Sequence, residues 1–94
     1  MIAKAEWTVP ADWQIIFFLS EHRLRFAAPP TTIGLNTDLS TGHVNTRINL
    51  LEKAGLIEQV DDRGYYRVTH DGLRWFNGEM DSEEFNALDP RDDA

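Results

Sequence analysis

The sequence predicts a mostly α-helical fold with a small β-hairpin wing, a winged helix-turn-helix, and three observations carry that expectation. A short helical stretch at 31–37 and a longer one at 40–54 flank a turn at Asn36-Thr37-Asp38. Gly55 follows the longer stretch and is placed to end it in a left-handed cap. Two short stretches, 56–60 and 65–69, are then joined by Asp61-Asp62-Arg63-Gly64, with glycine where a hairpin needs a positive φ. Helix, turn, helix and hairpin in this order form a module that places its second helix in the DNA major groove.

The totals agree with one small domain and raise one objection. Ninety-four residues suffice for a single modest core. The absence of cysteine excludes a disulfide framework, a thiolate zinc site and a cysteine nucleophile. The longest strongly apolar run is 15–19, far short of the roughly 18–20 residues that cross a bilayer, and residues 1–7 lack a signal-like apolar stretch. A soluble, cytoplasmic protein is expected. The objection is the net charge of −7, because a DNA-binding domain is expected to be basic.

That charge is unevenly placed. Residues 79–94 hold seven carboxylates against Arg91 alone, a net −6, while residues 1–78 hold eight Lys/Arg and nine Asp/Glu, a net −1. Between Leu39 and Leu51 there is no carboxylate. Two lysines against nine aspartates resemble the usage of proteins from high-salt cytoplasm, where an acidic surface keeps the chain hydrated.

Each element has its own local cause. Pro10 suits the first position of a helix running to about Glu21–His22. This helix is apolar nearly all round, with Trp13, Ile16 and Phe17 on one side and Ile15, Phe18 and Leu19 on the other, so it needs two covers. A second subunit is expected to supply one, giving a homodimer interface of Trp13, Ile15, Phe18, Leu19, Phe85 and Leu88. The alternative is cover by the arm with Trp7 and Val9, or by the segment with Phe85 and Leu88. Residues 23–26 are a link that can pair as an extra strand, stopped by Ala27-Ala28-Pro29-Pro30. Ile33 and Leu35 of the 31–37 helix are expected inward, and Ser40 is a good N-cap for the next helix. Val44, Ile48 and Leu51 recur at i, i+4 and i+7 as its buried stripe. Val60, Tyr66 and Val68 can face the core from the hairpin. Thr69 caps an expected helix at 70–77, with Leu73 and either Phe76 or Trp75 inward, and 81–88 suggests one more short helix. Residues 1–80 then form the winged domain, and 81–94 an acidic segment with a frayed end.

Opposite the Val44/Ile48/Leu51 stripe lie Gly42, Thr46, Asn49 and Lys53, flanked by Thr41, His43 and Asn45. Asparagine can bond adenine N6 and N7 together, and threonine can touch a thymine methyl or bond a phosphate. Gly42 near the helix start permits close approach of the backbone, and that terminus attracts phosphate. Arg47, nearer the buried stripe, is expected on a phosphate, and Arg63 and Arg67 near the wing tip as wing contacts, with Arg63 entering the minor groove. A merely solvated face would more often use Glu, Lys, Gln and Arg than these mediocre helix formers. At ~1 M salt the Debye length is about 3 Å, so a reader built for that medium relies on close hydrogen bonds and gains little from distant lysines.

The stretch from Ser40 through Gly55 into Leu56-Ile57-Glu58, followed by Gly64-Tyr65-Tyr66-Arg67-Val68-Thr69 and Gly72, resembles the haloarchaeal winged-helix regulators similar to the repressor of halophage phiH. Pro10-Ala11-Asp12 and the apolar helix after it fit the same pattern. The resemblance implies a DNA-binding transcriptional regulator, a homodimer, with 40–54 as recognition helix and Arg63 on the wing. The helix departs from the pattern in carrying Asn45, Thr46 and Asn49 where more charge would be expected.

Catalysis finds no support in the residue pattern. His22, His43 and His70 are far apart and form no metal-ligand motif, and no glycine-rich phosphate loop occurs. No cofactor, metal or small-molecule substrate is called for. The rival to a DNA reader is a winged helix that binds protein within the transcription machinery, which a near-neutral body and an acidic tail would suit.

Overall fold

The structure, a computed structural model, describes residues 7–21 and 27–90. Helix α1 spans Pro10–Ser20. It begins where Pro10 presets the first helical φ, and the Asp12 carboxylate accepts the Val9 N–H at 3.1 Å. Ala11, Asp12, Ile15, Ile16 and Leu19 are buried. The helix ends at Ser20, and His22 and the 23–26 link lie outside the described residues.

Helix α2 spans Pro30–Thr37 and α3 spans Thr41–Lys53. Ile33 of α2 is fully buried, but Leu35 is 85% exposed, contrary to its expected inward position. Residues two apart on a helix point about 200° apart, so only one of the pair can face the core. Asp38 closes α2 in the left-handed region at φ 62°, turning the chain toward Ser40. The Ser40 hydroxyl accepts the His43 N–H at 3.1 Å and caps α3, as its residue type predicts. Val44, Ile48 and Leu51 are the buried stripe of α3, and Gly55 takes φ 84° just past its end.

Strands β1 (Ile57–Gln59) and β2 (Tyr66–Val68) pair antiparallel, Ile57 with Val68, Glu58 with Arg67 and Gln59 with Tyr66. The Val60 N–H donates to the Tyr65 carbonyl at 2.9 Å, and Gly64 takes φ 83° in the loop. A third segment joins β2 at one residue. Ala28 and Tyr66 exchange both backbone hydrogen bonds at 2.9 Å. The pairing therefore reaches into the stretch expected to end it. Pro29 and Pro30 lack N–H groups, but Ala28 ahead of them keeps its own.

Helix α4 spans His70–Phe76 and α5 spans Ser82–Asn86. Thr69 caps α4 by accepting the Gly72 N–H at 3.0 Å, while its own hydroxyl donates to the Gly55 carbonyl at 2.6 Å. That residue thus joins the end of α3 to the start of α4. Gly72 is buried where a Cβ would collide with the Leu56 carbonyl oxygen and lie 2.6 Å from Val68 Cγ2. Only glycine lets α4 seat this close on the hairpin.

α1 is the hub, packing against α2, α3, α4 and β2. Trp7 and Phe85 close the core from the two ends of the described chain. The Phe85 ring lies 5.1 Å from Trp7 and stacks at 5.2 Å on Trp75. Ile15, Leu19 and Phe85, expected at a contact between subunits, are fully buried within the single chain and serve its own core. Phe18 and Leu88 are partly buried against that core. The cover expected for α1 from a second subunit is supplied within the chain by α2, α3, α4 and β2. Trp13 alone of the six expected interface residues stays substantially open, at 39% exposure.

Candidate nucleic-acid interface

The α3 cap and its buried stripe fix which side of the helix meets solvent. Thr41, Gly42, His43, Asn45, Thr46, Asn49 and Lys53 are all exposed. The Thr46 hydroxyl bonds back to the Gly42 carbonyl at 3.1 Å, leaving its methyl and its acceptor lone pairs outward. Lys53 is the cation of the last turn, where it favours the helix dipole.

Arg47 does not join this face. Its guanidinium turns inward and meets Asp12 through two bonds of 2.8 Å, Nε to Oδ1 and Nη2 to Oδ2, and Nη2 also donates to the Trp7 carbonyl at 2.8 Å. The Asp12 side chain is fully buried and that of Arg47 is 11% exposed. The expected phosphate contact is corrected to a structural one. A carboxylate at the start of a buried helix needs a cation, and Arg47, bordering the apolar stripe of α3, is in reach. One side chain thereby pins α3 to the first turn of α1 and to the arm.

The wing arginines are exposed, and each meets an acid. Arg63 bonds Asp61 Oδ2 through Nε at 2.7 Å and Nη2 at 2.6 Å, and its guanidinium lies 5.2 Å from the Tyr65 ring centre. The Arg63 backbone N–H donates to Asp61 Oδ1 at 2.9 Å. These bonds hold the Asp61 carboxyl below the usual carboxylate range, the Arg63 side-chain bond being the main cause. Arg67 Nε meets Glu58 Oε2 at 2.6 Å across the strands. The residue pattern at 56–69 gave both arginines a place on the wing but not these partners. A hairpin register centred on the 61–64 loop would have set Glu58 opposite Arg67.

The side of α1 that carries Trp13 and Phe17 follows the helical period, but the ring that Phe76 adds to it was not legible in the sequence. Trp13 stacks on Phe17 at 4.9 Å, and Phe76 of α4 lies 5.6 Å from Trp13 and 5.7 Å from Phe17. The first two rings are about 40% exposed. His43 and His70 are exposed, on α3 and at the start of α4 respectively, and His22 lies outside the described residues. Among the described residues no group of His, Cys, Asp or Glu could hold a metal ion, and no helix is long and apolar enough to cross a membrane.

A family model described as winged helix-turn-helix phage repressor matches residues 1–88. The chain belongs to that family. Its fold is also that of the PhiH1 repressor-like protein from Haloarcula marismortui, whose crystal structure superposes with a TM-score of 0.77. The two chains are 24% identical over 89% of this chain and 94% of the other, a likeness that speaks for the fold alone. No protein of curated function matches. Membership in the family supports a DNA-binding regulator, built, among the described residues, on five helices and a two-stranded wing.

Proposed function

We propose that the protein is a sequence-specific DNA-binding transcriptional repressor, with α3 in the major groove and the hairpin against the flanking backbone. The observation that carries this is the outward face of α3. Seven exposed residues, Thr41, Gly42, His43, Asn45, Thr46, Asn49 and Lys53, present hydrogen-bonding groups and a bare backbone turn without a carboxylate. The capped start of α3 adds backbone N–H groups suited to a phosphate. Arg63 and Arg67 supply the wing contacts, and Arg47 supports the reading helix from behind.

The protein acts in the cytoplasm of a halophile as a homodimer, needing no cofactor. The uneven acidic charge, the scarcity of lysine and the haloarchaeal origin of the structural relative support the first point. The exposed Trp13 and Phe17, backed by the half-buried Phe76, support the second, since apolar patches of this kind favour association. Sedimentation of the wild type against a Trp13→Ser/Phe17→Ser variant tests the dimer. A monomeric wild type would refute it.

Selection from random duplexes in molar KCl tests the function. An enriched palindrome is expected from a dimeric reader. A folded protein that enriches nothing would instead favour a winged helix that binds protein. Asn49→Ala should then lower the preference for the selected site by about 1–3 kcal/mol. A uniform loss on every duplex would contradict base reading by Asn49.

A further inference from the structure

We propose that Asp61 and Glu58 set the strength of the wing's grip on DNA, by holding Arg63 and Arg67 in ion pairs that the phosphate backbone must displace. The inference rests on the DNA-binding reading above and concerns how that binding is restrained. Among the described residues, the four arginines all meet carboxylates, while Lys53 makes no such pair. The pairs differ in their surroundings. Arg47–Asp12 is sealed in the core, and Arg74 ties α4 to α5 through Glu84 at 2.8 Å. The two wing pairs stand in solvent, with side-chain exposures of 71% and 32% for Arg63 and Asp61, and 44% and 46% for Arg67 and Glu58.

A phosphate oxygen and a carboxylate oxygen compete for the same guanidinium N–H groups. On the wing the carboxylate already occupies them, at 2.6–2.7 Å. A phosphate that takes an arginine must also approach the acid it displaces, and that like charge repels it. Each carboxylate therefore weakens the contact twice, by prior occupancy and by repulsion. An exposed pair is worth little, so the exchange remains open to DNA. α3 has no corresponding ion pair on its fully exposed residues, which carry no acid, the one carboxylate of the helix being the half-buried Glu52 in its last turn. The restraint thus falls on the sequence-independent part of binding and spares base reading.

The test is a D61N/E58Q variant. The amide oxygen introduced by D61N still accepts the Arg63 backbone N–H, so the loop retains its local bond. Fluorescence anisotropy follows binding to a selected site and to a random duplex across a KCl series, with circular dichroism confirming the fold. Both affinities should rise by about fivefold at the lowest salt that keeps the protein folded, the scale of an exposed ion pair. The gain should vanish when R63Q/R67Q is added. If the double variant fails to fold, D61N and E58Q singly are each expected to give part of the gain. A folded variant that binds no tighter, or more weakly, while the wild type holds its selected site, would overturn the wing assignment alone. A gain that persists without the arginines would also overturn it, tracing the effect to bulk charge. Failure of every folded form to bind any duplex would overturn this inference together with the DNA reading.

Discussion

α3 holds one arginine, Arg47, and turns it inward onto Asp12, whereas the hairpin holds two and keeps both in solvent on Asp61 and Glu58. The bonds are similar in length, 2.6–2.8 Å. Their surroundings make them different devices. In the core, removing one partner strands a buried charge, at a cost of about 3–5 kcal/mol. In solvent, the same kind of pair contributes little and yields to a competing anion. The helix thus spends its one arginine on fixing its own position, and its exposed face carries mainly uncharged Asn and Thr with Lys53 in the last turn. The wing keeps its cations available, each held by an exchangeable acid.

Breaking the buried side of this contrast should have the largest effect. Arg47→Ala leaves Asp12 buried without its cation, and a loss of about 3–5 kcal/mol is expected in chemical denaturation. A loss below ~1 kcal/mol would put this pair with the surface pairs. Gly72→Ala attacks the seat of the hairpin, because the added methyl meets the Leu56 carbonyl and Val68. Overpacking of this kind costs about 1–3 kcal/mol or more, since backbone cannot step aside easily. A neutral result in thermal melts would mean that α4 can shift off the hairpin at little cost. Ser40→Ala removes the α3 cap and should cost about 1 kcal/mol, checked by the same melts. An unchanged melting temperature would show water replacing the hydroxyl without loss.

The smallest effect belongs to the wing acid. Arg63 depresses the Asp61 pKa in the folded chain, so the contribution of this carboxylate to stability is present above its unfolded pKa. That contribution is lost as pH falls through the depressed folded value. Proton-detected titration should place the Asp61 midpoint below that of an unpaired aspartate, and Arg63→Gln should raise it. Equal midpoints in the two proteins would show that the pair does not persist in solution.

Local signals account for what was legible. Pro10, Ser40 and Thr69 mark helix starts, and Gly55 and Gly64 take the positive φ their positions call for, because each depends on neighbours close in the chain. The stripe of Val44, Ile48 and Leu51 follows from helical period alone. Leu35 departs from its expected place because a short helix offers too few positions for that period to choose between Ile33 and Leu35. The role of Arg47 is hidden in the sequence because its partner lies 35 residues away, and the α3 pattern shows only a cation at the edge of the stripe. The cover of α1 is hidden for a similar reason. An apolar helix announces that it will be buried but not by whom, and the elements that pack on it, α2, α3, β2 and α4, are spread along the rest of the chain.

The sequence by itself determined the order of elements, their caps and turns, and the acid-free outward face of α3, all of which follow from spacings within a few residues. Tertiary structure alone decided which charges are available. It sank Asp12 and Arg47 together, left Arg63 and Arg67 in solvent, and closed the core with Phe85 while leaving Trp13 and Phe17 half in the open. The physical reason is that burial sets what a charge or an apolar ring is worth, and burial depends on packing between segments distant in sequence.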